Sequence, residues 1–218
     1  MKLTFIKHSC FIIENDKVVL IIDPFYDSIF DVKSFTKSNK KKYVLLTHAH
    51  DDHISGLYGI CDNNTTIITN YETSNYLKIK YNYNCVDLNI GGKYLINKDI
   101  KVVMVQANHS NSLPNGNYAG LACGYIIYID DEVIYHMGDT SLFMDMKLIN
   151  KLYKPTIGLI PIGGHYTMDI EDATFAIKNY FDFKLSIPMH YNTFRAIKLK
   201  TVDNTIFDEL VYNESIIS

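Results

Sequence analysis

This sequence predicts an α/β fold, and three observations carry that prediction. Short runs of β-branched and aromatic residues fill 3–7, 10–14, 18–22 and 43–47, and recur at 66–69, 101–106, 121–129 and 133–135. Apolar residues repeat at spacings of three and four over 72–80, 142–152 and 173–181, the period of a helix with one buried face. A strand-rich first part gives way to strands mixed with helices. That order points to two sheets flanked by helices, and the pattern alone also allows one ordinary α/β sheet.

The first three strands are separated by turn-forming residues such as Asn15-Asp16. The fourth, 43–47, ends directly in the densest polar cluster of the chain. No linker rich in Pro, Gly or Ser and no repeat of 20 to 50 residues divides the 218 residues, so one domain over 1–218 is expected. The apolar share of 47% suffices for a sizeable core.

Composition also excludes. Lys and Arg total 21 against 24 Asp and Glu, a net charge of −3, which argues against a dedicated nucleic-acid binder. The basic run over 37–42 reads as a solvated loop. No stretch reaches the roughly 18 apolar residues of a spanning helix, and the N-terminal stretch does not read as a signal peptide. A soluble, cytoplasmic protein without a membrane partner is expected. Cys10, Cys61, Cys85 and Cys123 lie far apart without a C-x-x-C pair, as buried reduced thiols would. The 17 Tyr and 11 Phe leave a homo-oligomeric interface open.

Chemistry concentrates in Thr47-His48-Ala49-His50-Asp51-Asp52-His53. Imidazole and carboxylate suit zinc, manganese, iron or nickel. In an extended segment His48 and His50 point the same way and can reach one metal. Asp52 and His53 follow as the chain turns into a helix, and so face a second metal. One loop cannot saturate two metals, so further ligands must come from downstream. His109 in Ala107-Asn108-His109-Ser110, Asp139 in Gly138-Asp139-Thr140 and His190 in Pro188-Met189-His190-Tyr191 each stand just past a strand end, where sites gather.

With these residues the chain resembles the metallo-β-lactamase superfamily, and within it a small branch of bacterial metal-dependent hydrolases related to ascorbate-6-phosphate lactonase. The resemblance rests on His8-Ser9-Cys10-Phe11, Asp23-Pro24-Phe25, the H-x-H-x-D-H cluster, Tyr135 to Thr140, Pro161-Ile162-Gly163-Gly164 with Thr167-Met168, and Pro188 to Phe194. It implies a four-layer αββα sandwich with the metals at one edge. It implies that His48, His50 and His109 hold one ion, that Asp52, His53 and His190 hold the other, and that Asp139 bridges them. A Cys at the bridging position marks the true β-lactamases, so Asp139 argues against β-lactam hydrolysis. His50, where flavodiiron relatives carry Glu, favours hydrolysis over redox chemistry.

The expected activity is hydrolysis of an ester, lactone or phosphoester of a small molecule, by a water that two divalent ions activate. Zinc is the first expectation, with manganese and nickel as alternatives. Asp52, His50 and Asp139 are the catalytic positions, Asp52 orienting the water or relaying its proton. Other readings are a phosphodiesterase or nuclease on the same metals, or a non-catalytic metal-binding scaffold. Around the ligands, Asp23 is expected to brace the histidine loop. His8 and His136 stand near strand ends, either as site residues or as satisfied structural histidines. His165 follows two glycines that allow close approach to a substrate. Arg195, the chain's one arginine, can meet a substrate phosphate or carboxylate, or form a surface salt bridge.

Overall fold

A computed structural model describes residues 1–25 and 40–193 and the backbone of a strand at 215–217. The chain forms two compact units. The first comprises Met1–Asn89, Ser110–Leu121 and Tyr212–Ser218, and the second Ile90–His109 and Ala122–Val211.

The first unit is built on a mixed sheet. Strands β1 (Lys2–Lys7), β2 (Cys10–Glu14) and β3 (Val18–Ile22) form an antiparallel meander, Asn15 capping its second turn through Oδ1 to the Lys17 and Val18 N–H groups. Strand β4 (Lys41–Leu45) pairs parallel to β3, and β5 (Thr65–Asn70) and β6 (Cys85–Leu88) extend the parallel half. The short helices α1 (Asp51–Ile54) and α2 (Leu57–Ile60) and the longer α3 (Tyr71–Tyr81) connect them. Val19, Ile21, Val44, Leu46, Leu57, Ile60 and Ile67 share one buried cluster, so alternate strand positions feed the core as the period of two requires. Strand β13 (Ser215–Ile217) pairs antiparallel with β1 at the sheet edge.

The second unit repeats the plan. Strands β7 (Lys93–Leu95), β8 (Lys101–Gln106), β9 (Cys123–Ile129) and β10 (Glu132–His136) pair antiparallel in succession, and β11 (Ile157–Pro161) and β12 (Leu185–Met189) add parallel to β10. Helices α4 (Met146–Tyr153) and α5 (Ile170–Tyr180) make the crossovers.

Strand directions decide where chemistry gathers. In the first sheet β1, β3, β4 and β5 run the same way, so the residues after them, His8, Asp23 and Thr47–His53, share one edge. In the second sheet β8, β10, β11 and β12 are co-directional, and His109, Asp139, Gly163 and His190 follow their ends. The carboxyl ends of parallel strands are where open α/β sheets place ligands.

Several expected boundaries shift. The strand expected at 43–47 ends at Leu45, because the Thr47 N–H turns to the Asp23 carboxylate. The strand expected to begin at 121 begins at Cys123, after Gly120 at φ 83° has turned the chain. The helix expected from 142 begins at Met146.

Candidate metal centre

Asp23 organises the donors of the first unit. It is fully buried at the end of β3, in a left-handed conformation (φ 43°) that a side chain tolerates only when its bonds require it. Its Oδ1 accepts from the Thr47 N–H at 2.8 Å, and its Oδ2 accepts from the Thr47 hydroxyl at 2.6 Å and from His53 Nδ1 at 2.9 Å. The proton of His53 is thereby fixed on Nδ1, and Nε2 presents its lone pair. The Thr47 hydroxyl has spent its one proton on Asp23, so it accepts from His48 Nδ1 at 3.0 Å. One carboxylate therefore sets the tautomer of two histidines, the second through Thr47.

His48 Nε2 then lies 3.0 Å from His50 Nδ1, and the His48 and His53 rings approach to 4.0 Å between centroids. The chain enters α1 at His50, which turns Asp52 and His53 away from the extended segment. Gly56 closes that turn: its N–H donates to the Pro24 carbonyl at 2.7 Å, where any Cβ would collide with the same oxygen. His8, buried and at φ 59°, places Nε2 3.0 Å from Asp52 Oδ2. Asp52 Oδ2 also stands 3.8 Å from His53 Nε2.

In the second unit Asp139 is the centre, 2% exposed, with its Oδ2 2.9 Å from His190 Nε2 and 3.6 Å from His109 Nε2. Two backbone-directed bonds tie the His109 and Asp139 segments together. Thr140 Oγ1 accepts from the Asn108 N–H at 3.0 Å, and the Ser141 N–H donates to the Asn108 carbonyl at 3.2 Å. His190 sits at φ 58° just past β12, and Gly163 makes room for it: a Cβ there would lie 2.5 Å from the His190 oxygen and 2.7 Å from Nδ1.

These donor sets fit a divalent metal. Two ligand atoms on a tetrahedral ion at about 2.0 Å are about 3.3 Å apart. Within each unit the facing nitrogen and oxygen atoms lie between 2.9 and 3.8 Å, on both sides of that value.

Every expected site residue except Arg195 lies among the described residues. His48, His50, Asp52, His53, Asp23 and His8 come together in the first unit, and His109, Asp139 and His190 in the second. His136 is fully buried at the end of β10, where Nδ1 accepts the Gly138 N–H at 3.2 Å and so shapes the turn that carries Asp139. His165 is exposed with its ring edge on Tyr166, and among the described residues no hydrogen bond or ion pair joins it to Asp139. Arg195, and residues 37–39 of the basic run, lie outside the described residues. Reading the sequence missed Thr47, Thr140 and Asn111 as bracing residues. Their signal was adjacency to the ligands, which polar residues in any loop also show.

Comparison with known proteins shows the family to which the chain belongs. The Beta-lactamase superfamily domain profile matches residues 2–190, and the chain belongs to that superfamily. A UPF0173 metal-dependent hydrolase from Methanosphaera stadtmanae is 36% identical, covering 97% of this chain and 93% of its own. That likeness places the chain in the UPF0173 family, and it is a metal-dependent hydrolase. The metallo hydrolase Igni18 from Ignicoccus hospitalis is similar in structure, with a TM-score of 0.81 at 33% identity over 99% of this chain and 97% of that one. The metallo-β-lactamase fold protein YhfI from Bacillus subtilis, 12% identical, shares the fold with a TM-score of 0.76 over 99% of each chain. The expected α/β fold with two sheets, of the metallo-β-lactamase type, is what the chain adopts.

Proposed function

We propose that the chain hydrolyses an ester, lactone or phosphoester of a small molecule, using two divalent metal ions held by seven side chains. His48, His50 and His109 would hold one ion, Asp52, His53 and His190 the other, and Asp139 would serve both. The observation that carries this reading is the metal-ligand spacing of the proposed donor atoms within each unit, 2.9 to 3.8 Å among buried or half-buried groups. Such ions, zinc before manganese or nickel, supply Lewis acidity and lower the pKa of water.

The protein's own part is orientation and proton handling. Asp23 fixes the His48 and His53 tautomers, His8 Nε2 steadies Asp52 Oδ2, and Asp52 takes the proton of the attacking water. A sugar-lactone substrate is the first choice, by analogy with the lactonase related to this branch. A cytoplasmic location belongs to the same proposal, since Cys10, Cys61, Cys85 and Cys123 are all free thiols, as a reducing compartment keeps them. No described helix is long and apolar enough to cross a membrane.

The test is metal content after purification, followed by parallel assay of a lactone series, a carboxylic ester and a chromogenic phosphodiester, with and without chelator. About two ions per chain and chelator-sensitive lactone or ester hydrolysis are expected. A preference for the phosphodiester would move the assignment to a phosphodiesterase. Turnover that survives complete metal removal would overturn it.

A further inference from the structure

The segment Ser110–Leu121 belongs to the first unit, and its contacts converge on the backbone between two proposed ligands. Strand β4 has ended by Leu45, so the N–H of Ala49, a fully buried residue between His48 and His50, lies beyond the sheet ladder. It donates to Asn111 Oδ1 at 2.8 Å. The other end of the same amide, Nδ2, donates to the Ala119 carbonyl at 2.8 Å, and Asn111 itself is buried. Ala119 is held in turn: its carbonyl also accepts from the Thr73 hydroxyl at 3.0 Å, and its N–H donates to the Asn111 carbonyl at 3.3 Å. Asn70, the N-cap of α3, secures the far end by donating from Nδ2 to the Leu121 carbonyl at 2.9 Å. Around the amide, Ala49, Leu113 and Ala119 close a small apolar cluster.

We infer that Asn111 is a positioning residue for metal binding, a pin between the start of α3 and the peptide that carries His48 and His50. The inference rests on the two-metal reading above. Extended backbone aims two side chains alike only while the peptide between them keeps its orientation. The Ala49 N–H belongs to the peptide that joins the two ligands, and a planar amide anchored at both ends fixes its direction.

The experiment uses the full-length protein and Co(II) as probe, with affinity measured by chelator competition and site geometry by the visible absorption bands. Asn111→Leu keeps the volume and removes both hydrogen bonds. Thr73→Val removes one bond to Ala119 and leaves the Ala49 contact intact, so it reports on loop loosening alone. Loss of a partner that orients a ligand typically weakens metal binding 10- to 100-fold, the shift expected for one of the two ions in Asn111→Leu, with altered absorption bands. Thr73→Val should lower the melting temperature and leave Co(II) affinity within about twofold of the parent. If Asn111→Leu does not fold, Asn111→Ser, with a shorter acceptor, should show a smaller weakening in the same direction. Equal Co(II) affinity in the parent and the folded Asn111 variant overturns the inference. Absence of Co(II) binding by the parent overturns the two-metal reading instead, and His48→Ala, which should bind less Co(II), separates the two.

Discussion

The first unit draws its donors His48, His50, Asp52 and His53 from one stretch of chain, whereas the second draws His109, Asp139 and His190 from the ends of three different strands. The physical consequences differ. A single stretch has no sheet to align it past Leu46, so it is aligned by the side chains of Asp23, Thr47 and Asn111. In the second unit the sheet carries the ends of the co-directional β8, β10 and β12 to one edge, and short ties such as Asn108 to Thr140 are added. Hydrogen-bonding side chains hold the first set and sheet geometry holds the second. Damage should therefore reach the first through its braces and the second chiefly through its donors.

The largest effect is expected in the second unit. Asp139→Ala removes a buried carboxylate that faces both His190 and His109. A metal's charge stabilisation is worth several kcal/mol in the transition state, so hydrolysis should fall about a thousandfold or more, with fewer ions bound per chain. Activity within tenfold of the parent would remove Asp139 from the centre. Next comes the brace of the first unit. Asp23→Asn keeps the shape but cannot accept all three bonds from Thr47 and His53, which leaves buried donors unmatched. A loss of about 2–4 kcal/mol in urea unfolding is expected, together with 10- to 100-fold weaker metal binding. Unchanged metal affinity in the folded variant would reduce Asp23 to a structural role.

Two glycines sharpen the comparison at a smaller scale. Gly163→Ala would press a Cβ against His190, a proposed ligand, whereas Gly56→Ala would press one against the Pro24 carbonyl beside Asp23. Overpacking of this kind costs about 1–3 kcal/mol, and similar losses of melting temperature are expected in both. Only Gly163→Ala acts directly on a donor, so it should weaken metal binding more. The reverse ranking would mean that the second set depends on its surroundings as much as the first.

The same contrast governs what could be read in advance. Thr47 to His53 was legible because seven consecutive residues hold the chemistry. His109, Asp139 and His190 were legible only as a set, each being ordinary alone and marked by its place after an apolar run. Most long strands were also legible from β-branched runs. Strands β6 and β7 were not, since they are short and half exposed, and neither was β11, whose Gly158 and Pro161 weaken the β signal. Asn111 could not be found from the sequence, because its partner Ala49 lies 62 positions away and the bond reaches a backbone atom. Side-chain pairs at such distances leave no local pattern.

The last predicted effect concerns alkaline pH and should affect the first unit more strongly. Burial pushes the thiols of Cys10 and Cys61 up to about 12 and that of Cys85 up to about 11, and all three belong to that unit. In the unfolded chain these thiols lose their protons near pH 8.5 to 9. Between pH 9 and 11 the folded state therefore holds more protons than the unfolded state, so stability falls as pH rises and is fully present below pH 8. Melting temperature should drop across that window, and Cys10→Ala should flatten the slope without moving the neutral-pH metal content. For the same reason, alkylation of these thiols at pH 8 should be slow in the native protein and fast in urea. Rapid native-state alkylation of Cys10 would show that the core beneath the histidine loop opens readily. The first donor set would then lack the rigid support that its braces imply.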